Sequence, residues 1–424
     1  MKKIKGILDY LLNKKSVKNG LWIYALQIFN TVIPLITLPY ITRILGAENY
    51  GTFSLQLNLT AYLQVVVEYG FGLSATRQVA LAPPKKSLSK LFTQVMASRI
   101  FLFLLSLSAV LIYIAFNNQS TTENVCLFIL VFALFAYCFQ QNWIFQGKQE
   151  MKFISISTMI ARTITTVSIF AFIKQADQVV LYCMLYSFSP FLTSFIGSLI
   201  AVKRYKLRLV KISIKDLVEA LTSGLYIFFT QLSSKVFGAI GVTFLGIYTS
   251  NFEVGIYSAI YKLPYVLLLL WIPISQIVYP ITSKKIVESF DLGDQLIKKI
   301  AKYCLLFFGL ISVCVGILGK EVIYIAFGPE YSAYYYIIYP LLIWILLGIC
   351  NNFIGVQTMV GSGHDKEYSK CFQIGVVFTI VCNYLFIKNC GMLGAAIAPA
   401  VSEGLLTLIL VISLKKIKQK NQLE

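Results

Sequence analysis

The chain alternates between apolar runs of about 20 residues and short polar breaks, from Leu21 to Leu414. A hydrocarbon core about 30 Å thick needs roughly 20 helical residues to cross it, so each run predicts a membrane-spanning helix. The pattern therefore predicts an all-α polytopic membrane protein with about twelve transmembrane helices: residues 20–41, 53–73, 95–116, 125–146, 153–173, 178–202, 221–248, 254–282, 303–319, 334–360, 369–387 and 392–414.

The composition leaves little room for anything else. Of the 424 residues, 58% are hydrophobic and 13% are charged, and the mean hydropathy is +0.75. Twelve spans would use roughly 240 positions, so we expect no soluble domain. No cleavage site follows the first span, and the basic N-terminus therefore predicts a signal anchor rather than a removed signal peptide.

Lys and Arg alternate between rich and poor breaks. Most of the 37 basic residues lie in both termini and in alternate breaks, namely 73–91, 147–153, 202–217, 283–303 and 362–371. The intervening breaks hold at most one each: Arg43, Lys174, Lys320 and Lys388. The positive-inside rule then predicts that both termini are cytoplasmic and that the number of spans is even. The net charge of +19 is thus explained by topology, and no nucleic-acid partner is expected.

The most basic break, 203–208, lies near the middle of the chain. It divides the chain into two halves of six predicted spans each, residues 1–205 and 206–424. The halves are faintly alike: Gly51-Thr52-Phe53-Ser54 opens the second span and Gly255-Ile256-Tyr257-Ser258 opens the eighth. An internal duplication of six spans would give a parallel repeat about an axis along the membrane normal.

A few ionisable side chains lie inside the predicted spans. Each costs roughly 2.5–3.5 kcal/mol at the bilayer centre, so such groups normally face a bundle interior or a watery cavity. Arg162, Lys235 and Glu403 lie near mid-span. Arg99, Lys262 and Glu68 lie within about two turns of a span end, where a long side chain could instead snorkel to the interface.

Other polar residues follow the charged ones at helical spacing. Three stripes keep steps of three or four residues: Gln56, Thr60, Gln64 and Glu68; Ser155, Thr158, Arg162 and Thr165; Gln231, Ser234, Lys235 and Gly238. Such groups either bond adjacent helices together or line a solvated cavity. For the stripes that contain Arg or Lys we favour the cavity. The candidates for substrate binding are therefore the ionisable residues inside the predicted spans and two glutamines of the stripes: Arg162, Lys235, Arg99, Lys262, Glu68, Glu403, Gln64 and Gln231.

Four cations against two anions indicate an anionic cargo such as a phosphate, a pyrophosphate or an acidic sugar. The alternative is that two ion pairs form and only two charges remain. The chain has no G-x-x-x-x-G-K-[ST] motif, a single histidine (His364), and nine cysteines without a C-x-x-C pair. No enzyme activity, metal or cofactor is therefore expected.

Several stretches resemble a known family. Asn19-Gly20-Leu21-Trp22, residues 34–40 (PLITLPY) and 43–51 (RILGAENYG) look like the opening of bacterial polysaccharide flippases. Those are the Wzx-type O-antigen transporters of the multidrug/oligosaccharidyl-lipid/polysaccharide exporter superfamily. Residues 68–72 (EYGFG) with 74–77 (SATR) resemble that family's turn after the second span, and Trp143 with Gln146-Gly147 resembles its turn after the fourth. The likeness is sharpest over residues 19–155.

The resemblance implies a fold of two six-helix bundles around a central cavity. It also implies a flippase that turns undecaprenyl-pyrophosphate-linked oligosaccharide from the inner to the outer leaflet of the bacterial inner membrane. It implies membrane lipids, and the polymerase and chain-length proteins of the same pathway, as partners. Two alternatives remain open at this point. One is a drug or cation exporter of the same superfamily, which would favour acidic residues in the cavity. The other is an integral polysaccharide polymerase, for which long outward loops would be expected.

Overall fold

The computed structural model describes residues 15–81 and 85–423, with side chains described for residues 18–81 and 87–419. The basic residues Lys2, Lys3, Lys5 and Lys14 and the pair Pro83-Pro84 lie outside the described residues. Over the described ranges every regular element is helical. The predicted all-α class is confirmed.

The elements follow one another along the chain with short connections. In order they are α1 (Lys15–Glu68), α2 (Phe71–Ala80), α3 (Lys85–Phe116), α4 (Thr121–Phe132), α5 (Phe135–Cys138), α6 (Asn142–Gly147), α7 (Met151–Phe172), α8 (Val179–Tyr205), α9 (Ile214–Tyr248), α10 (Asn251–Glu288), α11 (Phe290–Ile317), α12 (Gly319–Phe327), α13 (Pro329–Ser332), a 3₁₀ turn (Tyr335–Ile337), α14 (Ile338–Asn351), a π-helix (Asn352–Val360) and α15 (Asp365–Leu423).

Ten helical stretches among the described residues are long and apolar enough to cross a membrane. Two of them, which contain α1 and α15, each hold two predicted spans joined at a glycine. Gly46 has φ +71° and Gly391 has φ +52°, a left-handed region that costs a side-chain-bearing residue about 1–2 kcal/mol. The chain is therefore a polytopic membrane protein whose helices accommodate the twelve predicted spans.

Two compact units emerge from the contacts. Unit 1 consists of Met1–Thr37, of which residues 15–37 are described, and Gln56–Lys235. Unit 2 consists of Leu38–Leu55 and Val236–Glu424, described as far as residue 423. The division into sequence halves at residue 205 stays a prediction.

Unit 1 joins the two turns that carried the family resemblance. Thr76 of α2 donates through Oγ1 to the Trp143 carbonyl at 3.3 Å and to Gln146 Oε1 at 3.2 Å, both on α6. A Cβ added at Gly147 would lie 2.5 Å from Val79 Cβ, so the helices approach this closely only because residue 147 is glycine. Trp143 is 1% exposed and anchors the apolar cluster beneath this contact.

Unit 2 contains a second close crossing, between α1 and α10. A Cβ at Gly51 would overlap the Asn251 carbonyl, and a Cβ at Gly255 would overlap the Ala47 carbonyl. The two glycines that the sequence matched as equivalent positions thus contact one another through their backbones. Small residues permit such approaches in membranes, where packing rather than hydrophobic exclusion holds helices together.

The prolines act differently from the glycines. Pro264, Pro273 and Pro280 lie inside α10, Pro399 lies inside α15 and Pro190 lies inside α8. The helices continue through these positions, whereas α1 and α15 are kinked at Gly46 and Gly391. Membrane helices tolerate proline where neighbouring groups satisfy the freed backbone.

Candidate functional site

The turn after the second span builds one side of the site in unit 1. Tyr69 and Gly70 have positive φ, +45° and +75°, and end α1 directly after Glu68. The Tyr69 ring stacks on Phe228 of α9 at a centroid distance of 4.7 Å. Because Gly70 lacks a side chain, Ile227 of α9 can approach its backbone closely. This contact fixes α9 beside Glu68.

The face of α9 that meets Tyr69 also carries two predicted site residues. Gln231 and Lys235 lie three and seven positions after Phe228, so all three share one side of the helix. Lys235 and Gln231 are partly exposed, and Lys235 interacts electrostatically with Glu68. Gln64 donates through Nε2 to Glu68 Oε1 at 2.9 Å. The structure therefore brings four predicted site residues of unit 1 together.

Arg162 lies on the side of α7 that carries buried residues. On this helix Ile164 and Val167 are 43% and 61% exposed, as expected for a lipid-facing side. Arg162 lies on the opposite side of the helix with the buried residues Ala161 and Thr165 beside it, and it is itself partly exposed. It interacts electrostatically with the Tyr137 and Tyr186 phenols. This Arg therefore does not point toward acyl chains.

Arg162 and Lys235 form no ion pair with a described residue. Among the residues that the structure describes, no carboxylate oxygen lies within 4 Å of either side-chain cation. Glu68 is in electrostatic range of Lys235, Arg99 and Tyr137 but forms no ion pair at that distance. Three cations and one carboxylate in unit 1 leave this region with an excess of positive charge.

Arg99 is buried and bonds to the backbone. It is 4% exposed, and Nη1 donates to the carbonyls of Tyr137 at 3.1 Å and Gln140 at 2.8 Å. The predicted fourth span is not one helix but three, α4 to α6, and these carbonyls lie at or just after the end of α5. Helix ends leave backbone carbonyls without intrahelical partners, which is costly inside a membrane. The Tyr137 carbonyl also accepts from the Gln140 N–H at 3.2 Å, whereas the guanidinium satisfies the Gln140 carbonyl.

The polar stripes prove to be mixed. Gln56 and Thr60 are 0% and 4% exposed, whereas Gln64 and Glu68 at the other end of the stripe are partly exposed. Ser155, from the Arg162 stripe, is fully buried and donates to the Trp22 carbonyl at 2.8 Å. Both explanations for such stripes therefore apply. Ser155 bonds two helices together, whereas the residues around Glu68 line a more open region.

The two predicted site residues of unit 2 differ in exposure. Lys262 of α10 is exposed. Glu403 of α15 is 7% exposed and accepts from Asn351 Nδ2 at 2.5 Å; Thr407 Oγ1 donates to Asn351 Oδ1 at 2.7 Å. This network joins α14 to α15. Asn351 was not predicted as a partner, because a single Asn within a predicted span carries no distinguishing sequence pattern.

The sequence pattern did not predict that two tyrosine phenols lie near Arg162, nor that unit 2 contains an aromatic cavity. Tyr137 and Tyr186 are separated from Arg162 by more than a span in sequence, so their proximity depends on tertiary packing. Within the described residues no group of three His, Cys, Asp or Glu side chains could hold a metal ion.

Comparison with known proteins gives the family. A model of the family described as "Polysaccharide biosynthesis protein" matches residues 16–285, well over half of the chain. A protein of Escherichia coli (strain K12) named "Putative O-antigen transporter" is 27% identical over 412 residues, which cover 96% of this chain and 98% of that protein. One of the same name from Shigella dysenteriae is 22% identical over 399 residues, 94% of this chain and all of that protein.

Two solved structures share the fold. An inward-facing multidrug resistance MATE family transporter of the MOP superfamily superposes with a TM-score of 0.72 at 13% identity, covering 92% of this chain and 96% of that chain. The lipid II flippase MurJ, in an inward closed conformation, gives 0.71 at 13% identity, covering 94% and 87%. Together with the membrane-spanning helices, the match over residues 16–285 shows that this chain belongs to the polysaccharide biosynthesis protein family.

Proposed function

We propose that the chain is a flippase that moves undecaprenyl-pyrophosphate-linked oligosaccharide from the inner to the outer leaflet of the bacterial inner membrane. The observation that carries the proposal is the partly exposed pair Arg162 and Lys235 in membrane-spanning helices, without a carboxylate within 4 Å among the described residues. An unpaired charge in hydrocarbon is costly, so such a pair favours an anionic ligand.

A pyrophosphate suits this arrangement physically. Its negative charge would face a very large desolvation cost in lipid, and cations placed on helices can replace its water. The guanidinium of Arg162 offers several donors in a plane, and Lys235 offers a mobile ammonium. The carrier's lipid tail can remain in the bilayer, because only the polar head needs this environment.

The relatives support the same cargo class. Two are named as O-antigen transporters, and a protein with the same fold is a lipid II flippase. A drug or cation exporter is the second candidate, since another protein with this fold is a multidrug transporter. The sign of the charge in unit 1 favours the anionic cargo. We further propose that transport involves no covalent chemistry and that both termini are cytoplasmic.

Complementation tests this proposal. In a strain that lacks the transporter, Arg162→Ala and Lys235→Ala should each reduce surface polysaccharide by about tenfold or more, because each removes one charge contact. Arg162→Lys should retain part of the activity, since the charge stays. Lys174→Ala is the matched control, because Lys174 lies outside the spanning segments and donates to the Phe170 carbonyl.

Membrane amounts of each variant must equal those of the wild type, so that lost export reports transport rather than insertion. Full surface polysaccharide in the Arg162→Ala Lys235→Ala double variant would refute the anionic site. Selective loss of efflux of a lipophilic cation, with polysaccharide export unchanged, would instead favour the exporter.

A further inference from the structure

Unit 2 contains a small cavity of about 70 Å³, enough for roughly five water molecules. One wall is aromatic and includes Tyr257 and Tyr261 of α10 and Trp344 of α14. The other is polar and includes Asn383 and Ser402 of α15. The charge pattern of the sequence did not indicate this cavity, because none of its described lining residues is charged.

The aromatic wall is a stack of rings rather than a single plane. The rings of Tyr261 and Trp344 stack at a centroid distance of 5.1 Å with an interplanar angle of 24°. Tyr257 adjoins Tyr261 at 5.7 Å. Tyr261 and Trp344 are partly exposed, so a ligand can reach them. Aromatic faces are electron-rich and attract the weakly positive C–H groups of a flat aliphatic ring.

The polar wall offers an acceptor without a donor. Asn383 is 1% exposed, and its Nδ2 donates to the Thr379 carbonyl at 2.8 Å. Its Oδ1 has no hydrogen-bond partner among the described residues. Buried amide oxygens are nearly always paired, so this atom calls for a donor from a ligand.

Gly241 of α9 lies beside that acceptor. A Cβ at Gly241 would lie 2.9 Å from Asn383 Oδ1 and 3.7 Å from the Tyr257 hydroxyl. The amide oxygen and the phenol hydroxyl thus border the same small space, which only glycine leaves unfilled. An unpaired acceptor and a hydroxyl next to an aromatic wall match a ligand with an apolar face and hydroxyl groups at its edge.

We propose that this cavity binds a neutral sugar ring of the transported cargo, with the ring's C–H face against Tyr261 and Trp344 and a sugar hydroxyl donating to Asn383 Oδ1. The proposal rests on the proposed function and adds to it the place in unit 2 that recognises saccharide. A neutral ring suits a cavity whose described lining residues carry no charge, whereas the pyrophosphate suits the cations of unit 1.

The test measures binding of two lipids to the full chain in nanodiscs. One is oligosaccharide-bearing lipid purified from a strain that lacks the transporter, and the other is undecaprenyl pyrophosphate, which has no sugar. Trp344→Ala should bind the first lipid about tenfold more weakly than the wild type, with unchanged affinity for the second. Trp344→Phe should remain close to the wild type, because it keeps an aromatic face.

Two further variants separate the sugar site from general damage. Tyr339→Ala removes an exposed aromatic side chain from the same helix, α14, but outside the cavity, and should bind both lipids normally. Gly241→Ala should weaken only the sugar-bearing lipid, because its methyl group blocks Asn383 Oδ1. It keeps the test decisive if Trp344→Ala does not fold.

Each remaining outcome overturns the assignment. If Trp344→Ala weakens binding of both lipids equally, or of neither, the cavity does not recognise sugar. Binding of tetraphenylphosphonium that depends on Trp344 would identify an organic-cation site instead. If the wild type binds both lipids, these results refute the sugar site alone; if it binds neither lipid, the proposed function fails as well.

Discussion

Arg99 and Arg162 share the same side chain, and their surroundings give them different tasks. Arg99 is buried and bonded to two backbone carbonyls at the end of α5. Arg162 is partly exposed and lies near two phenols. At the residue scale, the two arginines differ in whether the guanidinium group already donates hydrogen bonds to other residues. A sequence reports only that both are cations in predicted spans.

Replacing Arg99 tests its structural role. Arg99→Ala should lower the free energy of unfolding by about 3 kcal/mol, because the carbonyls of Tyr137 and Gln140 lose a charged donor in a buried place. Thermal unfolding in detergent should show a clearly lower Tm. Arg162→Ala, by contrast, should leave Tm close to that of the wild type. An unchanged Tm for Arg99→Ala would contradict the helix-end role.

The sequence predicted which ionisable residues lie inside membrane spans, but not which of them lie close to one another. Glu68 and Lys235 are far apart along the chain, and their proximity depends on the Tyr69–Gly70 turn packing against Phe228. The four-residue spacing correctly predicted that Gln64 would lie near Glu68. The spacing did not predict that Gln56 is buried while Gln64 is partly exposed. Equal spacing along one helix does not report how far the neighbouring helices extend beside it.

At the scale of elements, the glycine crossing in unit 2 is a close backbone contact between α1 and α10. Gly51→Ala should destabilise the protein by about 1–3 kcal/mol, because the added methyl group overlaps the Asn251 carbonyl. The expected observation is less folded protein in the membrane and a lower Tm.

Gly309 offers a matched comparison, since a Cβ there would have open space. Gly309→Ala in α11 should be neutral or slightly stabilising, by up to about 1 kcal/mol, because alanine favours helix more than glycine does. Equal stability of Gly51→Ala and Gly309→Ala would contradict the close crossing.

Hydropathy predicted where helices lie but not where they break. The fourth predicted span is divided into α4, α5 and α6 without a proline or glycine at either break, and Arg99 from α3 supplies the missing backbone partner. The tenth ends in the π-helix Asn352–Val360, where Gln357 is fully buried and accepts from Thr282 at 2.7 Å. Both irregularities depend on side chains from other helices, which no local pattern contains.

At the scale of the whole molecule, the alternation of basic loops gives a topology that reporter fusions can test. Green fluorescent protein fused after Arg208 should fluoresce, and alkaline phosphatase fused after Lys174 should be active, because the first break is basic and the second is not. Alkaline phosphatase activity after Arg208 would contradict the predicted orientation and the even number of spans.

Charge and aromatic surface are distributed differently in the two units. Unit 1 holds Arg162, Lys235 and Glu68, and unit 2 holds the uncharged cavity with Tyr261 and Trp344. The charged residues could be found from sequence because a charge in an apolar run is conspicuous. The cavity could not, because aromatic residues are abundant in membrane helices and only tertiary structure arranges a few of them around one space.

The most direct test of the anionic transport site is a translocation assay in proteoliposomes that contain lipid-linked oligosaccharide in both leaflets. A membrane-impermeant glycosyltransferase reports how fast the inner pool becomes accessible outside. The wild type should expose that pool, and the Arg162→Ala Lys235→Ala double variant should do so at least tenfold more slowly at equal reconstitution. Equal rates for the two proteins would contradict the claim that these cations carry the pyrophosphate across.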